Sequence, residues 1–95
     1  MHVITRRRLL EFARKHPDCA GPLDAWYRTV KRTNFDSFAE LRRTFSSADH
    51  VGKLTVFNIG GNKARLIGAI HYNTHRVYIR HILTHAEYDR ETWKE

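Results

Sequence analysis

Two arginines in the C-terminal half, Arg65 and Arg80, and the pair His85 and Tyr88 beyond them are the side chains with the clearest chemical use. A guanidinium stays charged at any relevant pH, and its fork matches phosphate oxygens bidentately. Histidine titrates near neutrality and moves protons, and tyrosine can donate one. His85 and Tyr88 are three residues apart, so one helical turn brings them together. The combination suits binding a phosphate and moving a proton beside it. It also suits plainer roles: exposed strand arginines paired with Glu87 or Asp89, a capped His85 beside Thr84, and a packing Tyr88. Patterning leaves both open.

Other chemistries fit less well. The chain has seven histidines and one cysteine. His71 and His75, like His81 and His85, are four apart, but on strands or turns that spacing separates side chains by about 13 Å. Neither pair chelates locally, and without partner cysteines or clustered carboxylates no metal site and no cofactor is expected. Cys19 stands alone, so there is no disulfide framework. Gly60-Gly61-Asn62-Lys63 is not a phosphate loop but a hairpin signal.

The elements that must position these residues divide the chain in two. Met1 to Ile4 suits a short strand, with Thr5 as N-cap of a helix to about Lys15 whose apolar side is Leu9, Leu10, Phe12 and Ala13. His16-Pro17-Asp18 stops it. Pro22 suits the first turn of a second helix, which buries Leu23, Trp26, Tyr27 and Val30. Ser37-Phe38-Ala39-Glu40 reads as a capping box opening a third helix, with Phe38, Leu41 and Phe45 inward. Ser46 to Gly52 reads as polar loop. Three strands are then expected, Leu54–Ile59, Ala64–Tyr72 and Arg76–Leu83, with a helical turn over 84–89.

Helices followed by an antiparallel meander give one α+β domain over residues 1–95, with the helices on one face of a twisted sheet. The turn at Gly61-Asn62 pairs Ile59 with Ala64, Asn58 with Arg65 and Val56 with Ile67. A turn centred on Thr74-His75 pairs Tyr72 with Val77, Ala69 with Arg80 and Arg65 with Thr84. Alternation then puts Phe57, Ile59, Leu66, Ile70, Val77, Ile79 and Leu83 on the helix-facing side, with His81 as a core histidine. Asn58, Arg65, His71, Tyr78, Arg80 and Thr84 share the other face with Ile67 and Ala69.

The formal charge of +7 over 95 residues attracts polyanions. No apolar run approaches the roughly 20 residues that span a bilayer, and no signal-peptide core follows the basic start. A cytoplasmic protein with no membrane partner is expected.

The stretch from Val56 to Leu66 (Val-Phe-Asn-Ile-Gly-Gly-Asn-Lys-Ala-Arg-Leu) resembles the HigB family of bacterial toxins, as does the closing Tyr78–Asp89 segment. Met1-His2-Val3-Ile4 and the Trp26 helix suit it too. The resemblance implies the RelE-like toxin fold and a ribosome-dependent mRNA endoribonuclease of a type II toxin–antitoxin system. Its partners would be mRNA, the ribosome and a neutralising helix-turn-helix antitoxin of the HigA type. It also implies a site of basic and aromatic residues on the concave sheet face, carried here by Asn62, Lys63, Arg65, Arg80, His85 and Tyr88. Ala64 departs from the larger residue often found there.

On that footing the expected catalytic residues are Arg65, Arg80, His85 and Tyr88, acting without metal on a 2′-hydroxyl attack. Lys53, Asn58, Asn62, Lys63 and Tyr78 are the expected RNA-binding residues. The rival readings are a non-catalytic basic RNA-binding module and a protein-interaction domain with an acidic partner.

Overall fold

The computed structural model describes residues 1–90 and Trp93. Strand β1 (His2–Ile4) leads into helix α1 (Arg7–Lys15), and a single 3-10 turn, Pro17–Cys19, joins it to α2 (Ala20–Arg32). Helix α3 (Phe38–Thr44) precedes four strands: β2 (Asp49–Val51), β3 (Leu54–Ile59), β4 (Ala64–His71) and β5 (Arg76–Thr84). Helix α4 (His85–Asp89) follows. The arrangement is α+β, as the sequence predicts, and the five strands form one mixed sheet in the order β1-β5-β4-β3-β2. All neighbours are antiparallel except β1, which runs parallel to β5. Strand β2 occupies part of what the sequence suggests is polar loop.

The helix stops and starts follow local chemistry with two departures. Thr5 does not cap α1; it takes φ +67°, and Arg6 stands at the cap position without a side-chain cap. At α3, Ser37 Oγ accepts from the Glu40 amide at 3.2 Å as expected, but the Glu40 carboxylate reaches one residue further back, accepting from the Asp36 amide at 2.7 Å.

The core lies between the helices and one sheet face. Phe57 is its centre, meeting Trp26 edge-on at 5.4 Å and Phe45 at 5.2 Å. Leu23, Trp26, Val30 and Leu41 from the helices pack there on Ile59, Leu66, Val77 and Ile79. Aromatic edge-to-face pairs of this kind add to the area they bury.

The first hairpin pairs as the sequence predicts: Ile59 with Ala64, Asn58 with Arg65, Val56 with Ile67. The second does not. Its turn spans residues 72–75, His71 pairs with Arg76, and Ile70, rather than Tyr72, pairs with Val77. That shift of two residues preserves the faces, so Val77, Ile79 and Tyr78 lie as expected. Higher up, Gly68 pairs with Ile79 while Ile67 pairs with His81, which makes Arg80 the additional residue of a β-bulge. One extra residue reverses the alternation beyond it. Ile82 therefore joins the helix-side core, while Leu83 and the half-buried His81 fall on the opposite side. Arg65 accordingly stands opposite Leu83, not Thr84, and Ala69 opposite Tyr78, not Arg80.

The face away from the helices is partly covered. Trp93, 4% exposed, sits in a second apolar cluster with Leu54, Val56 and Ile67, against which Tyr88 and Leu83 also pack. Among the described residues, no helix is long and apolar enough to cross a membrane.

Candidate active site

Arg65 is the second residue of β4, immediately after the turn, and the strand alternation aims it away from the helices. Only 8% of it is exposed. Burying a charge is costly unless its donors are satisfied. Here Nη1 donates to the carbonyls of Gly61 at 3.3 Å and Ala64 at 3.1 Å, and Nη2 donates to Asn62 Oδ1 at 3.1 Å. The turn makes this possible: Gly60 and Gly61 take φ +58° and +69°, which curls the carbonyl of Gly61 and the side chain of Asn62 back over the strand start. Every one of these acceptors is neutral. Among the described residues no carboxylate forms an ion pair with Arg65, so its positive charge is oriented but not neutralised. Donors of the guanidinium remain for a ligand.

The wall beside it is aromatic. The Arg65 guanidinium carbon lies 5.5 Å from the Tyr88 ring centre. Tyr88 in turn stacks on Trp93, rings 5.0 Å apart and 15° from parallel, and the Trp93 indole donates to the Tyr88 carbonyl at 3.0 Å. Tyr88 is delivered by α4, a five-residue helix fixed by a reciprocal cap. Thr84 Oγ1 accepts from the Glu87 amide at 3.3 Å, and the Glu87 carboxylate accepts from the Thr84 amide at 2.9 Å. The bond from the Thr84 backbone holds the Glu87 carboxyl below the usual glutamate range.

His85 opens α4 one residue after Thr84, which pairs with Ala64, so it starts at the same end of the sheet as Arg65. Its Nε2 lies 3.4 Å from Asp89 Oδ2, and both side chains are about half exposed. A carboxylate so placed orients the imidazole. Cys19 offers nothing comparable: it is buried, and burial, with Asp18 adding to it, pushes its thiol up. Among the described residues no group of three or more His, Cys, Asp or Glu side chains is placed to hold a metal ion.

The nine site residues read from the sequence thus divide by position. Asn58, Asn62, Lys63, Arg65, His85 and Tyr88 gather at the end of the sheet formed by the β3–β4 turn and the start of α4. Asn58, which pairs with Arg65, and Lys63 are both exposed. Lys53 lies in the β2–β3 turn, at the far end of β3, about 20 Å away by strand rise. Tyr78 is near that far end as well, its ring 5.0 Å from His71. Arg80 stands between the two, at the bulge, exposed, and lines a cleft with Arg8, His71 and Tyr78. Sequence reasoning missed Trp93, the stacking partner of Tyr88. Its only signal was a large apolar side chain in an otherwise polar tail.

A family model for the HigB toxin, described as the RelE-like toxic component of a toxin–antitoxin system, matches residues 19–91. The chain belongs to this family. The HigB match includes the whole Arg65–Tyr88 cluster and both hairpins. A protein from Escherichia coli O6:H1 named mRNA interferase HigB is 38% identical over 95 residues, covering 97% of this chain and 92% of that protein. The mRNA interferase toxin HigB of Escherichia coli K12 is 35% identical over 92 residues, covering 94% of this chain and 88% of its own length. A HigB from Shigella flexneri, also named mRNA interferase, matches to the same extent. The five-stranded sheet with its helices is consistent with the RelE-like fold that the family name states.

Proposed function

We propose that this HigB-family chain is an mRNA endoribonuclease whose cutting site is the Arg65–Tyr88 cluster. The observation that carries this reading is the buried Arg65 guanidinium, held by neutral acceptors and walled by Tyr88. A fixed, unneutralised charge in a site partly shielded from water is suited to the charge that builds on a phosphate under attack. The relatives' name, mRNA interferase, supplies the substrate class.

In the reaction the RNA 2′-oxygen attacks the adjacent phosphorus. The new 2′-O–P bond forms as the P–O5′ bond breaks, leaving a 2′,3′-cyclic phosphate and a 5′-hydroxyl. One group takes the proton from the 2′-hydroxyl and another delivers one to the departing 5′-oxygen; His85, oriented by Asp89, and Tyr88 are the candidates. Arg65 stabilises the non-bridging oxygens, and Asn62 holds Arg65 in place. Asn58 and Lys63 contact flanking nucleotides, while Lys53, remote from the cluster, meets more distant phosphates or ribosomal RNA. The charge stabilisation comes from the guanidinium, and no metal enters the scheme.

The toxin acts on ribosome-bound message in the cytoplasm, residues 1–95 work as one domain, and a helix-turn-helix antitoxin of the HigA type neutralises it. The test is cleavage of message on programmed ribosomes, mapped by primer extension, with and without a neighbouring antitoxin gene product. Cut sites that vanish with the antitoxin are expected. Binding to ribosomes with intact message would overturn the catalytic assignment.

A further inference from the structure

The bulge in β5 does more than reverse the strand's faces. It stands beside a cleft of about 330 Å³ lined by Thr5, Arg8, His71, Tyr78, Ile79 and Arg80, toward the β1 side of the sheet. We propose that this cleft is a second RNA subsite, in which Arg8 and Arg80 take a phosphate and the Tyr78–His71 pair takes the adjoining base. The inference rests on the RNA-cleaving reading and extends it along the sheet.

Four observations converge there. The Arg8 Nη1 donates to the Arg80 carbonyl at 2.7 Å, which ties one guanidinium to the backbone that carries the other. Two guanidiniums at one cleft form a fork-rich cation surface, the arrangement that favours a phosphate. Tyr78 and His71 meet edge-on at 5.0 Å, so aromatic surface lies in the same cleft as the cations. Phosphate-binding cations beside an aromatic surface are the recurring pattern for single-stranded nucleic acid. The third observation is Thr5, which lines the cleft at φ +67° and donates through Oγ1 to the Ile79 carbonyl at 3.2 Å. A β-branched residue in the left-handed region is strained, and such strain persists where surrounding structure over-determines it, commonly at binding sites. The fourth is charge placement. Arg8 stands in the first turn of α1, which holds no acidic residue, adding a cation where the helix dipole is already positive.

The cleft is distinct from the Arg65 cluster. Arg65 pairs with Leu83, three residues beyond Arg80, which places the two about 10 Å apart along the strand. Arg80 therefore serves a neighbouring phosphate while Arg65 serves the reacting one. Part of the cleft, Thr5 and Arg8, lies outside residues 19–91 that the family model matches.

The test uses the full chain with two probes, a short 2′-O-methyl RNA, which lacks the attacking hydroxyl, and ribosomes without message. Binding is followed by fluorescence anisotropy across a salt series. The double variant Arg8→Ala/Arg80→Ala, altering two exposed side chains, should bind the RNA about ten-fold more weakly. Its salt slope should fall by about 0.7 for each phosphate of a single strand that the variant no longer neutralises. Tyr78→Leu should weaken binding about five-fold or more, as loss of one stacked base does, with the salt slope unchanged. A loss seen with the RNA probe assigns the subsite to message. A loss seen only with empty ribosomes assigns the same chemistry to ribosomal RNA. Unchanged binding of both probes by the double variant, with wild-type binding intact, overturns the subsite alone. Failure of the wild-type chain to bind either probe or to cut message overturns the RNA-cleaving reading together with it.

Discussion

The Arg65 guanidinium carbon lies 5.5 Å from the centre of the Tyr88 ring, and the same guanidinium is anchored to Gly61, Ala64 and Asn62. One side of the group is thus spent on the turn and another on an aromatic wall, which fixes where its charge acts. The position is a cation held still by groups that cannot cancel it.

Replacing Arg65 by alanine should lower message cleavage on programmed ribosomes by about 10²–10³-fold, the usual effect of removing one charge-stabilising donor. The Gly61 and Ala64 carbonyls lose a donor, so stability should also fall by about 1–3 kcal/mol. Arg65→Lys keeps the charge but not the planar fork, and should recover stability more than rate. Equal loss of rate and of fold in both variants, measured by cleavage and thermal melting, would leave no case for a chemical role.

Tyr88 does two separable things. Tyr88→Phe preserves the ring against Arg65 and the 5.0 Å stack on Trp93 but removes the hydroxyl. Tyr88→Ala removes both. If the hydroxyl moves a proton, the phenylalanine variant should fold normally and lose about 10²-fold or more in rate. If it retains full activity, proton transfer passes to His85, and Tyr88 is only a wall.

Gly68 lies at the register shift that creates the Arg80 bulge. A Cβ there would stand 3.2 Å from the Tyr78 carbonyl oxygen and 3.4 Å from Val77 Cγ1. The first neighbour is backbone and cannot swing aside. Gly68→Ala should therefore destabilise the chain by about 1–3 kcal/mol, as overpacking does in a filled interior. Denaturant unfolding reads this directly; a stability equal to wild type would mean that the bulge relaxes freely.

These positions also show what was legible in the sequence. Helices α1 to α3 and strands β3 and β4 follow from periodicity, and the Gly60–Lys63 turn fixed Asn58 opposite Arg65 because glycines leave few alternatives. The second hairpin was harder. Its turn has no glycine, and the extra residue at Arg80 breaks the two-residue alternation on which face assignment depends. The adjacent apolar pair Ile82-Leu83 is the trace this left, since both faces there are covered. Strand β2 is three residues, Asp49–Val51, too short and polar to show a period. Trp93 covers the sheet through tertiary packing, which local pattern does not encode. Arg65 was identifiable as a candidate, but its burial was not, because the Tyr88 ring that lies beside it arrives from α4 through tertiary packing.

Acid should loosen the site before it unfolds the chain. The Glu87 carboxylate accepts the Thr84 amide in the cap of α4, and that bond, with smaller help from the Thr84 hydroxyl, Arg90 and His16, outweighs burial and keeps its pKa depressed. A carboxyl held low in the folded state contributes stability above its ordinary value of about 4.3, and the contribution disappears as pH falls through the lowered value. The cap is solvent-exposed, so the effect is local rather than global. Losing it frees α4, the helix that brings Tyr88 to Arg65 and carries the carbonyl bonded by Trp93. Hydrogen exchange of the Trp93 indole should accelerate as the pH is taken below about 4.3 while amides of β3 and β4 stay protected. Glu87→Gln keeps an acceptor without a titrating proton, so its Trp93 exchange, corrected for intrinsic rate, should not change across that range. Thr84→Ala should cost about 1 kcal/mol of helix stability at any pH. Parallel acid profiles for wild type and Glu87→Gln would show that the cap does not hold the aromatic wall in place.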